Sequence, residues 1–269
     1  MREFRIAVCF SGEPRTWEIA HENISSFFAI DHIPYLREPH TVVVDAFVHT
    51  WTGNTWRRNG EWAHELLSSD EIEKIKATYS PIGFRVDQAE KAKTVWGSLF
   101  KSQMLSFHLK RKHEIASGFE YDLVIKARLD TIYPPGEKFN VHRMQAMNAY
   151  TTSPMWRTPR EYFATNFNEV IYYADSPTMD LIGDVERKAK VDCDWGHYDR
   201  VIATGHEHPQ IKYGPGAYMY RYMVEHHIHP THAPVLLEYA IVREEAVKRG
   251  LNGVLDYNEI KHIHDNFYS

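Results

Sequence analysis

Arg128 and Asp130, two residues apart within Phe119 to Tyr133 (FEYDLVIKARLDTIY), are the side chains whose types and spacing suggest chemistry most directly. A guanidinium beside a carboxylate suits an anion such as a diphosphate, held by the arginine fork and by a divalent metal on the carboxylate. The same pair also serves as a structural cap on a strand edge. It follows Leu123 to Ile125, an apolar run of strand formers that begins after the helix-stopping Gly118. Side chains alternate along a strand, so Arg128 and Asp130 are expected on one side, at the carboxyl end where open α/β sheets bind ligands.

Other residues offer related chemistry. Ser11-Gly12-Glu13-Pro14-Arg15 ends a first strand and leads into a helix. Gly12 can take a backbone conformation closed to other residues, Pro14 suits a first helical turn, and Arg15 adds a charge-assisted fork for phosphate. An ordinary turn with a surface arginine has the same sequence. Trp56, Arg57 and Arg58 are candidates for acceptor binding, able to stack on and neutralise a polyanion, or to pack as a lid. Asp175 follows the strand Val170 to Tyr173, as helix cap or as site carboxylate. Asp192, Asp194 and His197 cluster around Trp195-Gly196 in a spacing that could hold a metal but fits no specific signature. Asp194 and Asp175 are the candidates for a catalytic base. Of His226, His227, His229 and His232, each reads more readily as an unliganded histidine than as a metal ligand.

The elements that must position these groups alternate between strand and helix. Arg5 to Phe10 is a strand, and the helix after it carries Trp17, Ala20, Ile24 and Phe27 on one face. Thr41 to Trp51 (TVVVDAFVHTW) reads as a buried parallel strand that delivers His49, Thr50 and Trp51 to its carboxyl end. Thr50 to Trp62 lacks an apolar period and is expected to be a long exposed loop. Ser68 to Thr78 is a peripheral helix with a capping box, Ser68 with Glu71. Thr94 to Gly118 is a long helix with Phe100, Met104 and Phe107 on its apolar face and Gln103 as the polar interruption. Its last turns hold Lys110 to His113, cations that complement the helix dipole. Residues 134 to 160 are expected to be loop-rich. Gly214 to Glu225 reads as a turn followed by a helix, and the chain closes on a polar tail.

Composition bounds the rest. Hydrophobic residues make up 43 % of the 269 and charged residues 25 %, which excludes a mainly disordered or fibrous chain. A formal net charge of −5 gives the whole molecule no attractive field for nucleic acid or anionic membrane. Two cysteines cannot build a disulfide framework, and Cys9, within an apolar strand, reads as a small buried hydrophobe. The apolar run at the N-terminus is too short for a signal sequence, and no window suits a membrane span, so a cytoplasmic protein is expected.

Taken in order, IAVCFSGEPRTW, DAFVHTW, SQML, YDLVIKARLDTIY and YYADSPTMD resemble a group of small glycosyltransferase-like proteins of bacterial polysaccharide loci, phages and large viruses. The resemblance covers most of the chain. It implies an α/β fold of GT-A type, a Rossmann-like mixed sheet flanked by helices. It implies a single domain over 1–269, with residues 1–133 as the nucleotide-sugar half and 134–269 as the acceptor side. Ser11, Gly12, Arg15, Thr50, Trp51, Arg128 and Asp130 match its nucleotide-binding positions, and Asp130 its metal position, for Mn²⁺ or Mg²⁺. An R-x-D element stands where many relatives carry D-x-D, and arginine cannot ligate a metal. The implied donor is a nucleotide sugar, UDP-linked above others. The acceptor is expected to be a hydroxymethylated pyrimidine base in phage duplex DNA, with a glycan as the alternative, and a non-catalytic sugar- or nucleotide-binding module is the reading from another class.

Overall fold

The computed structural model describes residues 2–58, 61–88, 95–151, 170–185, 187, 214–232, 239–242, 246, 248–253 and 256–267. Its centre is β1 (Arg2–Gly12), whose β-branched and apolar middle is buried on both faces. β1 pairs in parallel with β2 (His40–Trp51) on one side and β6 (Leu123–Ala127) on the other. β5 (Gly83–Asp87) extends the sheet beyond β2, also in parallel. Beyond β6 stand β9 (Tyr172–Ala174), β8 (Asn148–Thr151) and β10 (His229–His232). The order of the seven strands is β10-β8-β9-β6-β1-β2-β5, and β9 alone runs against the rest. This is a mixed α/β architecture with a mostly parallel sheet.

Alternation along β1 separates two cores. Phe4, Ile6, Val8 and Phe10 pack with Ala20, Ile24 and Phe27 of α1 (Trp17–Phe27). Ala7 and Cys9 face the other way, with Phe47, Val124, and Phe100 and Phe107 of α3 (Val95–Ser117). The period-2 side-chain pattern of a strand therefore places one helix on each face. Burial pushes the Cys9 thiol pKa far up, so it is inert packing, as its setting in the sequence suggested.

The capping box forms as read: α2 (Ser69–Tyr79) has Ser68 at its N-cap, accepting from the Glu71 N–H while the Glu71 carboxylate accepts from the Ser68 N–H. Four expectations change. Thr50 to Trp62 is not a long loop, because β3 (Gly53–Arg58) and β4 (Glu61–Leu66) pair as an antiparallel hairpin. Arg58 pairs with Glu61, which leaves Asn59 and Gly60 between the strands, and Asn-Gly is the dipeptide a two-residue hairpin prefers. α1 begins at Trp17 rather than near Pro14, whose carbonyl accepts from the Trp17 N–H in a preceding turn. The stretch after Pro134 contributes β8, which is internal to the sheet. The polar tail is α6 (Tyr257–Phe267), which follows α4 (Ser176–Gly183) and α5 (Gly214–Glu225) in the chain and sets Tyr257 and Ile260 into the α1-side core. Two short strands, β7 (Thr131–Ile132) and β11 (Ala240–Ile241), form a separate antiparallel pair. Among the described residues no helix is long and apolar enough to cross a membrane.

The connections fix where a ligand can sit. From β1 the chain passes by α1 to β2, and by way of α2 to β5. It then returns through α3, across the other face, to β6 on the far side of β1. Strand order therefore reverses between β1 and β6. In open α/β sheets a crevice forms at such a reversal, outside the carboxyl ends of the strands.

Candidate functional site at the β1/β6 crevice

Ser11 and Gly12 end one strand of this crevice, and Arg128 and Asp130 follow the other. Gly12 has φ of +120°, a conformation that a side chain would strain, which explains the glycine. Its peptide is held on both sides: the Gly12 N–H donates to Ser102 Oγ at 2.7 Å, and the Thr50 hydroxyl donates to the Gly12 carbonyl at 3.0 Å. Ser102 in turn lies 2.7 Å from Nδ1 of His49, whose Nε2 stands 3.8 Å from Asp87. Burial holds the His49 pKa down to about 4, against the opposing pull of Asp87, so the imidazole is neutral and Nδ1 can accept the Ser102 proton. Asp87 is itself gripped by both nitrogens of an Arg85 fork and is held below the usual carboxylate range by it.

Arg128 and Asp130 form a bidentate pair, Nε to Oδ1 and Nη2 to Oδ2, each 2.7 Å. Asp130 is wholly buried, while 16 % of the Arg128 side chain is exposed. The strand stops at Ala127 and the pair sits in the turn beyond it, so the carboxylate orients the guanidinium while the guanidinium keeps an accessible edge. Each oxygen of Asp130 thus accepts one hydrogen bond from the arginine fork. Among the described residues no group of three His, Cys, Asp or Glu side chains is placed to hold a metal.

Four hydrogen bonds bring the first loop and this turn together. The Thr16 hydroxyl donates to the Val242 carbonyl at 3.2 Å, and the Val242 N–H donates to the Asp130 carbonyl at 2.8 Å. One residue after β11 thus bridges the neighbour of Arg15 to the arginine–carboxylate turn. From α1, the buried Asn23 amide pairs with both backbone groups of Tyr133, at 2.8 and 2.7 Å. Arg15, whose Nε donates to Glu13 at 2.8 Å, is a fifth exposed, so two partly exposed guanidiniums stand on the elements flanking the crevice.

Comparison with protein-family models and with curated proteins finds no match.

The remaining residues expected at the site divide sharply. Thr50 and Trp51 lie at its edge but are buried, Thr50 bonded to Gly12 and Trp51 edge-on to His49, so they build the wall. Trp56, Arg57 and Arg58 lie on β3, whose hairpin is tied to the same sheet edge by Thr52 N–H to Asp87 and Leu67 N–H to Thr52. Asp175 does not reach the crevice. β9 runs against β6, with Ala174 opposite Val124, so Asp175 emerges at the other edge of the sheet, where it caps α4 by accepting from the Thr178 N–H at 2.9 Å. Asp192, Asp194 and His197 lie outside the described residues. His226, His227 and His229 are exposed.

Lys110 to His113 are also apart from the site. Ser102 marks the crevice end of α3, and Lys110 lies eight residues further on, about 12 Å of helix rise. Lys110 is wholly buried rather than a surface cation, donating to Glu114 at 3.0 Å, to Asp180 at 2.7 Å and to Ser176. Glu114 also accepts from the Tyr121 N–H at 2.9 Å, so the cluster fastens α3 and α4 to the segment entering β6. Sequence reasoning missed Asn23, Asp87 and Ser102, and noted Gln103 only as a polar interruption of an apolar face. Ser102 and Gln103 stand out in one respect only: they are polar residues on the apolar face of a long helix.

Proposed function

We propose that the protein is a glycosyltransferase of GT-A type, moving a sugar from a nucleoside diphosphate sugar, UDP-linked above others, to a hydroxyl acceptor. The observation that carries this is the pair of partly exposed guanidiniums, Arg15 and Arg128, on the two sides of a strand-order reversal. The nucleoside diphosphate departs as its oxygen's bond to the sugar anomeric carbon breaks and the acceptor oxygen bonds to that carbon. Preoriented guanidiniums stabilise the charge that develops on it. Asp130 acts here by fixing the Arg128 fork, and no step is routed through Mn²⁺ or Mg²⁺.

In this proposal residues 1–133 bind the donor, and the hairpin with Trp56, Arg57 and Arg58 meets the acceptor. Asp194 is retained as the candidate base that takes the acceptor proton. A glycan hydroxyl is favoured as the acceptor over a hydroxymethylated base in duplex DNA. The cations at the end of the long helix lie apart from the crevice, with Lys110 buried, and the net charge is −5. Incubation with UDP-, GDP- and CMP-sugars and a panel of glycan acceptors is expected to release one nucleotide faster with acceptor than without. Nucleotide binding with no turnover on any acceptor would instead support the non-catalytic module.

A further inference from the structure

Two polar side chains at the crevice are buried with nothing to bond. Ser11 is 1 % exposed and its Oγ has no hydrogen-bond partner; Gln103 is fully buried, and neither its amide nitrogen nor its amide oxygen has one. They share a face of the sheet. Ser11 continues the Ala7, Cys9 row of β1 towards α3, and Gln103 stands three residues from Phe100 and four from Phe107, both of which pack against that row. They also share a level, because the hydrogen bond from Gly12 to Ser102 sets residues 102 and 103 of α3 beside the end of β1. An unpaired buried amide is costly, and a methionine of similar volume would fill the same space without the cost. Groups of this kind persist at sites where a ligand completes them.

We infer that Ser11 and Gln103 form a neutral subsite that binds the nucleoside part of the nucleotide, on the α3 side of the crevice whose guanidiniums take the diphosphate. A carboxamide presents a donor and an acceptor side by side, the complement of the adjacent carbonyl and N–H on a base such as uracil, and a hydroxyl supplies either role. The subsite carries no charge of its own, so it adds selectivity between nucleotides rather than affinity for anions. The inference rests on the proposed donor site and is tested apart from it.

The experiment is titration calorimetry of the full chain with UDP, GDP and inorganic pyrophosphate, together with thermal melting, for wild type, Gln103→Met, Ser11→Ala and Arg15→Gln. Gln103→Met is expected to raise Tm by about 2–4 °C, since an unsatisfied group is removed, while weakening the preferred nucleotide about tenfold and leaving pyrophosphate unchanged. Ser11→Ala should move both quantities the same way, by less. Arg15→Gln should weaken nucleotide and pyrophosphate together. A purely structural glutamine, bonded to buried water, would lower Tm on substitution and leave the nucleotide untouched; either result overturns the inference. Unchanged nucleotide affinity in Gln103→Met, with Arg15→Gln impaired, removes the subsite and leaves the donor site standing. Wild-type protein that binds neither nucleotides nor pyrophosphate removes both.

Discussion

Asp130 stands where a metal-binding carboxylate was expected, and its two oxygens hold the Arg128 guanidinium. A carboxylate with both oxygens in an arginine fork is a holder of that arginine, and the two possible parts lead to opposite results on substitution. Asp130→Asn keeps the shape but only one of the two acceptors for Arg128, so nucleotide binding is expected to weaken to the same extent with Mn²⁺ and in EDTA. Arg128→Lys keeps the charge but loses the planar fork, and should weaken binding about tenfold or more. Loss of binding in Asp130→Asn, together with dependence on Mn²⁺, would restore the metal-site reading. At His49 the expectation concerns pH. Its folded pKa, about 4, lies below the ordinary histidine value because of burial, so the unfolded chain takes up a proton first as pH falls. The stability contribution is complete above about pH 6.5 and is lost between there and pH 4, by an amount on the order of 3 kcal/mol. His49→Gln should flatten the fall in Tm over that window relative to wild type; parallel curves for the two proteins would show that His49 is not the group responsible.

The Gly12 turn and the α3–α4 clamp are separable elements with separable roles. Gly12→Ala meets no neighbouring atom but forces φ of +120° on a residue with a side chain. A loss of about 1–3 kcal/mol in stability and a larger loss of nucleotide binding are expected, measured by denaturant melts and calorimetry. Lys110→Met takes from buried Glu114 its nearest cation, leaving Arg111 at 3.8 Å, while the part-exposed Asp180 keeps Arg111 at 3.3 Å, so about 2–4 kcal/mol should be lost in denaturant melts with nucleotide affinity intact where the protein is folded. The strands, the capping box and the long helix were legible because period and caps are local signals. The crevice residues Gly12, Arg15, Arg128 and Asp130 were legible because glycine and charge at a strand end are conspicuous. The hairpin was not, although Asn59-Gly60 announced it, because aromatic and basic residues masked the alternation. Nor could the sequence show that β9 is reversed: strand direction depends on pairing partners distant in the chain, and it alone removes Asp175 from the site. Lys110 misled for a related reason, since its partners Ser176 and Asp180 lie on a different helix.

At the scale of the molecule, a mostly parallel sheet with helices on both faces reverses its strand order between β1 and β6, and the candidate chemistry gathers there. The charge balance of −5 bears on the acceptor. Duplex DNA binding, if it occurs at all, is expected to be weak and abolished by moderate salt, as read from a gel-shift series over salt concentration; tight binding that persists to about 200 mM salt would return the DNA base to first place. The most direct test of the central claim is calorimetric titration of the wild-type chain and Arg128→Lys with UDP, GDP and CMP. Saturable binding of one nucleotide by wild type, about tenfold or more weaker in Arg128→Lys, is the expected result. Folded wild-type protein that binds none of the three, or binding indifferent to Arg128→Lys, would contradict a donor site at the β1/β6 crevice.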